Sequence, residues 1–389
     1  MRTKVAIIGG GVSGLMLANL LHVEGVDCVI LERHTRAYTE ARIRAGVLEY
    51  GTVELLRRVG VATQMDAKGL PHEGFTLLDD GAPTRIDLHD LVGKDVMVYG
   101  QTEITIDLMD ACEARGIPLI FEAQDVSLHD IDRDAPYVTY VKDGQAQRLD
   151  CDLIAGCDGF HGVSRKTIDN AEASASEKVY PFGWLGVLAD VPPMADELIY
   201  SNHERGFALA SMRSMTRSRY YIQVDLSEKI EDWSDDRIWD ELAVRLDDVD
   251  ARRISRGPSI EKSIAPLRSY VCEKMRQGRL FLAGDAAHIV PPAGAKGLNL
   301  AASDVTYLAD AMINWFKRSQ EDRLCGYEAR ALDRIWKAER FSWSMTMLTH
   351  RFPQMSSFDR KMQKADLAYV RASRAAQFSI AENYVGLPL

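Results

Sequence analysis

The chain has 389 residues, 46% hydrophobic and 27% charged, with a formal net charge of −10. That length suits two domains, or one large domain with an insertion, and the composition is that of a globular protein. An acidic balance without a long basic stripe argues against nucleic-acid binding.

The six cysteines (Cys28, Cys112, Cys151, Cys157, Cys272 and Cys325) form no CxxC pair, and no histidine stands at zinc spacing from them. Reduced thiols in a cytoplasmic protein, and no metal, are therefore expected. The apolar run 5–21 after Arg2 and Lys4 has the outline of a signal peptide. It carries four glycines, Ser13 and Asn19, however, and leads straight into a second strand. No other stretch is apolar for long enough to span a bilayer, so no membrane partner is expected.

In chain order, residues 4–8 read as a buried strand and 15–22 as a helix, with a second strand over 26–31. Between the first strand and the helix lies Gly9-Gly10-Gly11-Val12-Ser13-Gly14, and Glu32 follows about 20 residues later. This is a dinucleotide-binding βαβ unit: Gly9 for the tight turn, Gly11 for the approach of a pyrophosphate, Gly14 for helix-on-strand packing, and Glu32 for a ribose hydroxyl. Arg33, Arg36, Arg42 and Arg44 make the next stretch rich in forked donors, which suit phosphate as well as a solvated helical face. An amphipathic helix is expected over 53–59 and another over 99–115, with strands at 118–122 and 137–141.

Residues 152–158 form another buried strand, ending at Asp158-Gly159. Residues 280–283 form a third such strand, closed by Gly284-Asp285, then Pro291-Pro292, Gly294 and Gly297 before a helix. Ligands in α/β folds collect at such strand ends, and a fresh helix N-terminus there offers N–H donors to an electron-rich group. Between these junctions, strands of five or six residues are expected over 183–190, 197–202, 207–212 and 219–224, an antiparallel sheet inserted into the α/β unit. A helix over 233–246 follows, and 263–269 returns to the first unit through Pro266. Beyond Asn299 the pattern is helical, with Trp315, Trp336 and Trp343 expected in the core or at a subunit contact.

The glycine loop, Asp158-Gly159 and Gly284-Asp285, in this order, resemble the class A flavoprotein aromatic hydroxylases. YPFGWLG (180–186), RGFAL (205–209), EKSIAPLRS (261–269) and WKAERFSW (336–343) are similar to the branch of that family that acts on 4-hydroxybenzoate. The resemblance implies an α/β fold in three parts. A Rossmann-like FAD-binding domain would occupy 1–72, 98–178 and 267–300, an inserted antiparallel-sheet substrate domain 73–97 and 179–266, and a helical C-terminal interface region 301–389.

It further implies FAD on Gly9, Gly11, Ser13 and Gly14, with its ribose on Glu32. Arg44 and Gln101 would meet the pyrophosphate and ribityl regions, with Arg33, Arg42 and Asp158 among the contacts. Asp285 would hold the ribityl chain, Gly294, Lys296, Gly297, Leu298 and Asn299 would meet the flavin ring, and Arg219 would steady the charge of the inward flavin. Arg213 would take the substrate carboxylate, with Ser211 and Tyr221 as further donors. Tyr200, Tyr384 and His72 would relay the phenolic proton, and the Pro292 carbonyl would lie near the phenolate.

NADPH, or less well NADH, would dock transiently on Arg33, His34, Tyr38, Arg42, Arg44, His161 and Arg268. The pair Arg33 and Arg36 favours a 2′-phosphate. The implied reaction takes 4-hydroxybenzoate, NADPH and O2 through a flavin 4a-hydroperoxide to 3,4-dihydroxybenzoate, in a homodimer. Ala293, which the resemblance places with Pro292 at the substrate, near the flavin and the ring's reactive edge, departs from the usual threonine and suggests tolerance of 3,4-dihydroxybenzoate as substrate. A hydroxylase of another phenolic acid, such as 3-hydroxybenzoate, and a non-catalytic flavin-binding sensor are the alternatives.

Overall fold

A computed structural model of the chain describes residues 1–41, 46–247 and 253–388. Its first layer is a six-stranded sheet in the order Arg276–Gln277, Leu280–Leu282, Leu153–Gly156, Val5–Ile8, Cys28–Leu31, Leu119–Ile120. All neighbours are parallel except the outermost pair, 276–277 with 280–282. Val5, Ala6, Ile7, Leu153, Ile154 and Leu280 are fully buried, as expected for parallel strands covered on both faces. The helix Val12–Val23 packs against Gln101–Ala114 and the long helix Gly297–Arg318. Its approach depends on glycine: Gly9 holds φ +107°, and a Cβ on Gly14 would stand 2.0 Å from the Gly9 carbonyl oxygen.

The second layer is an eight-stranded sheet in the order His288–Ile289, Ser259–Cys272, Ala175–Ala189, Arg217–Val224, Ala208–Ser214, Leu198–Asn202, Gly74–Asp79, Ala82–Asp87. The four expected inserted strands are all present, but the sheet is not wholly antiparallel, because Leu198–Asn202 runs parallel to Gly74–Asp79. Two of its strands are much longer than their sequence pattern suggests, Ala175–Ala189 and Ser259–Cys272. Pro266 lies inside the second of these strands, opposite Gly183, and the strand runs on from Leu267 of the second core to Tyr270, Val271 and Cys272 of the first. The strand on its other side, His288–Ile289, reaches only Tyr270 and Val271, so the missing N–H of Pro266 falls where no partner needs it.

One face of this sheet (Leu185, Val187, Ala208, Ala210, Tyr220, Ile222) packs on Trp239 and Leu242 of the helix Asp235–Arg245. The opposite face turns toward the first layer. Two smaller three-stranded sheets, 124–129/137–142/145–150 and 47–48/70–72/96–98, complete the β structure.

Four helices follow Lys296: Gly297–Arg318, Asp322–Thr349, Ser357–Ala372 and Arg374–Tyr384. Trp315 packs on the core, whereas Trp336 and Trp343 are more than 40% exposed, which leaves for those two only the subunit-contact half of the expectation. Exposed Phe358, Met362, Tyr369 and Phe378 lie on the same group of helices. Among the described residues, no helix is long and apolar enough to cross a membrane.

Helix Asp322–Thr349 also carries Glu339, which is buried and has one carboxyl oxygen without a partner. Burial pushes its pKa from the ordinary 4.5 up to about 7, opposed by a hydrogen bond from Ser269 and by the charge of His288. The folded state thus holds this proton more tightly than the unfolded chain. The stability it contributes is present below about pH 4.5 and is lost as pH rises toward about 7. Glu339→Gln should therefore raise the denaturant midpoint at pH 8 while changing it little at pH 4. Equal shifts at both pH values would show that Glu339 is not the group responsible.

Candidate active site

The two layers enclose a cavity of about 910 Å³. At one end it is lined by the glycine loop (Gly9, Gly11, Ser13), Glu32, Asp158 and Asp285, each at the carboxyl end of a parallel strand. A Cβ placed on Gly11 would meet nothing within 4 Å, so this backbone is open to a ligand. The helix it begins has no side-chain cap, and helix Gly297–Arg318 likewise begins uncapped, with Gly297 and Leu298 on the cavity wall. Uncapped helix starts of this kind present N–H groups and positive dipole ends to an anion or an electron-rich ring.

Glu32 accepts from the Gly10 and His34 backbone N–H groups, each at 2.8 Å, which fixes the carboxylate while leaving lone pairs for a ribose. The Oδ2 of Asp158 accepts from Ser164 N–H at 2.9 Å, whereas its Oδ1 is buried without a partner. Gln101 lines the wall between the two ends. An open glycine backbone, a ribose-height carboxylate, an orphaned acid oxygen and two helix starts around one cavity fit a flavin dinucleotide.

The other end is the inward face of the eight-stranded sheet. Because strand side chains alternate, Leu209, Ser211 and Arg213 share a face with Arg219 and Tyr221 on the next strand. In register, Tyr200 stands opposite Leu209, Leu209 opposite Tyr221, and Tyr221 opposite Gly186. Gly186 is required there, since a Cβ would lie 2.8 Å from an Arg219 guanidinium nitrogen and 3.0 Å from the Tyr221 ring. One Arg213 nitrogen donates to the Met212 carbonyl at 2.9 Å and to Ser211 Oγ at 3.3 Å, while its Nε is buried without a partner. Burial pulls its pKa below the ordinary arginine value. Among the described residues no ion pair within 4.0 Å involves it. A desolvated guanidinium lacking an anion is a seat for a carboxylate.

Tyr200 is buried, and its hydroxyl lies 2.9 Å from that of Tyr384. Burial pushes the Tyr200 phenol up to about 12, with the bond to Tyr384 opposing, so the phenol is neutral at working pH and can pass a proton without holding charge. Tyr384 sits behind the wall, stacked on Phe75 at 4.3 Å. His72 is buried with neither ring nitrogen hydrogen-bonded, and burial lowers its pKa. No direct hydrogen bond joins it to Tyr384, so the three-member relay expected from the sequence is continuous only over its first two members.

Other expected positions fall differently. Ala293 is fully buried in the core that holds Tyr200 and Tyr384, not on the cavity wall, which removes the geometric basis for linking it to a broader substrate range. The Pro292 carbonyl already accepts the Ala295 N–H at 2.9 Å, and Pro292 itself lines the cavity. Gly294 faces Ser342, 2.5 Å from where its Cβ would be, rather than the cavity. Asn299 is a structural clasp: its amide donates to the Val47 and Ala295 carbonyls, and its oxygen accepts from Glu49 N–H and Thr52.

Lys296 spends its ammonium on Glu49 and on the Asn383 and Tyr384 carbonyls. Arg219 faces Glu261 at 3.4 Å. Arg36 is engaged by Glu40, Asp110 and Glu113, so it is not free to join Arg33 in holding a 2′-phosphate. Arg33, His34, His161 and Arg268 edge the cavity, and Tyr38 stacks on His34 at 4.0 Å. Arg42 and Arg44 lie outside the described residues. Trp184 and Glu261 lie in stretches that carry the family resemblance but are given no individual role by it, and Asp304 has no sequence signal. Only sheet register brings the first two to the wall, and Asp304 is a mid-helix acid that accepts from Gly284 N–H and pairs with His288 at 2.6 Å.

Comparison with known proteins agrees with this geometry. Residues 2–342 match the family described as FAD binding domain. A p-hydroxybenzoate hydroxylase of Acinetobacter baylyi is 56% identical over 389 residues, covering 100% of this chain and 96% of that protein. A 3-amino-4-hydroxybenzoate 2-monooxygenase of Streptomyces cremeus is 25% identical, covering 79% and 78% respectively. The crystal structure of a p-nitrophenol 4-monooxygenase from Pseudomonas putida DLL-E4 has the same fold, with a TM-score of 0.79 at 16% identity over the whole of both chains. A cavity built for a flavin dinucleotide beside an unpaired guanidinium, in a chain so matched end to end, is that of an enzyme: the protein belongs to the FAD-binding family of class A flavoprotein aromatic hydroxylases.

Proposed function

We propose that the protein hydroxylates 4-hydroxybenzoate beside its phenol to give 3,4-dihydroxybenzoate, using FAD, NADPH and O2. The observation that carries the substrate is the pairing, on one sheet face, of an anion-seeking Arg213 with the hydrogen-bonded Tyr200–Tyr384 phenols. A ring with a carboxylate at one end and a phenol at the other matches both. Gly9, Glu32, Asp158, Asp285 and the 292–298 loop would hold FAD, which would supply the reducing equivalents that activate O2 for transfer to the ring. Arg213, with Ser211 and Tyr221, orients the carboxylate. Tyr200 accepts the phenolic proton as it gives its own to Tyr384, and Tyr384 in turn releases its own proton toward His72, so the ring becomes a stronger nucleophile and both tyrosines end neutral. His72, neutral and unpaired, is the terminus this reading gives the relay. Leu198, Leu209 and Trp184 keep the ring end apolar and exclude water from the reacting atoms.

The nicotinamide would dock at the mouth on Arg33, His34, Tyr38, His161 and Arg268. With Arg36 occupied, preference for NADPH rests on Arg33 and on Arg42 and Arg44. The exposed aromatic residues of the last three helices fit a homodimer contact, and a cytoplasmic setting completes the reading.

Following NADPH oxidation and the aromatic product together, with and without 4-hydroxybenzoate, tests the whole assignment. Strong stimulation with 3,4-dihydroxybenzoate as product is expected; no stimulation would sink it. Arg213→Gln should raise KM by about 10²–10³-fold, the cost of leaving a buried charge partner unpaired, with FAD binding unchanged. An unaltered KM would move the carboxylate seat elsewhere. Tyr384→Phe keeps the stack on Phe75 and removes only the relay bond. It should lower kcat by about 10–10²-fold with little change in KM, and undiminished turnover would remove Tyr384 from the relay.

A further inference from the structure

We propose that His350 is a positioning residue for the substrate end of the cavity. By accepting the indole N–H of Trp184 it fixes the aromatic wall and, through that wall, the Tyr221 side of the carboxylate seat. The Trp184 Nε1–H donates to His350 Nε2 at 2.7 Å, and the two rings lie within 5° of parallel. Trp184 lines the cavity, whereas His350 is fully buried behind it.

Phe207 stacks on His350 at 4.1 Å and on Trp184 at 4.9 Å, while Phe182 stacks on His350 at 5.0 Å. These contacts hold the plane of the imidazole, and the hydrogen bonds at its two nitrogens decide which way round it sits. The Trp184 ring in turn lies 5.0 Å from that of Tyr221, which stands near the Arg213 guanidinium.

With Nε2 accepting, the proton must sit on Nδ1, facing the Thr346 carbonyl at 3.1 Å and Thr349 Oγ1 at 3.0 Å. Burial pushes the pKa of this histidine down to about 3, so the accepting nitrogen persists across the working range. A protonated ring would set one N–H against another. Among the described residues this indole has no other hydrogen-bond partner, and a buried indole N–H left unpaired would have to turn toward the polar groups of the cavity.

An ordinary core histidine would satisfy only itself; this one holds a side chain that shapes the ligand's space. The inference rests on the phenolic-acid reading above, and its test has an arm that does not. In the full chain with FAD bound and its tryptophans labelled with 15N, Trp184→Phe identifies the Trp184 indole resonance. His350→Phe, which keeps an aromatic ring in the stack, should shift that resonance upfield and speed its exchange with solvent. The same variant should raise KM for 4-hydroxybenzoate by about tenfold, with kcat within about twofold. His350→Gln, whose amide oxygen can accept the indole N–H, should recover most of the loss. In a Trp184→Phe background, where there is no indole to hold, His350→Phe should add nothing to KM. An unmoved indole resonance overturns the proposal, as does a KM effect that persists in full without the indole. Wild-type protein that fails to turn over 4-hydroxybenzoate would overturn the substrate reading instead, with the indole resonance still deciding whether His350 holds Trp184.

Discussion

A single buried ammonium joins the parts of this molecule that must meet for chemistry. Lys296 pairs with Glu49 at 2.5 Å and donates to the backbone carbonyls of Asn383 and Tyr384, while Arg334 approaches the other oxygen of Glu49 at 3.0 Å. Four distant segments are thereby fixed to one another: the start of helix Tyr50–Arg58, the loop before helix Gly297–Arg318, helix Asp322–Thr349 and the end of the last helix. Burial lowers the pKa of Lys296, and the Glu49 carboxylate opposes that pull. Removing one member of such a cluster would strand a charge, at a cost of roughly 3–5 kcal/mol. The position of Tyr384 against Tyr200 follows from this anchor, because the carbonyl of Tyr384 itself is one of the three acceptors.

The second constraint is strand alternation. One face of the eight-stranded sheet is spent on the core beneath Trp239, and the other carries Tyr200, Leu209, Ser211, Arg213, Arg219 and Tyr221 into the cavity. A slip of one residue in any of these strands would bury the arginines and expose the core residues, so the same register that stabilises the sheet also gathers the polar groups of the cavity. The polar cost of the seat is visible. Arg213 and Arg219 both hold buried nitrogens without hydrogen-bond partners, and Arg213 loses solvation that only an incoming anion would replace. Stability and function are thus opposed at this face. Gly186 is where the conflict is relieved, by yielding the space that a side chain would take.

The same reasoning separates polar groups that hold the site from those that face it. Lys296 and Asn299 stand at the start of helix Gly297–Arg318 beside the cavity, yet their side chains clasp the scaffold. Asp304 restrains both ends of the Gly284–His288 turn from behind, which fixes where Asp285 emerges. His350 belongs with them, as a buried acceptor behind a cavity-lining ring.

Local chemistry was enough to determine the nucleotide-binding half of this protein from sequence. The glycine loop, Glu32, Asp158 and Asp285 each sit at the end of a short apolar strand, and their spacing alone specifies the βα junctions that gather them. The inserted strands were equally plain from alternation, and Arg213, Tyr200 and Tyr384 were named through resemblance. Contacts between segments far apart in the chain were decided by the tertiary structure. The Tyr200–Tyr384 bond spans 184 residues, and the Trp184–His350 bond spans 166. Arg36 read as a phosphate ligand until folding brought Asp110 and Glu113 to it, and Ala293 read as a cavity residue until packing buried it. Spacing along a strand or helix fixes which residues share a face, because backbone geometry is local. Which face then meets which, and which charge finds a partner first, depends on the packing of the whole chain.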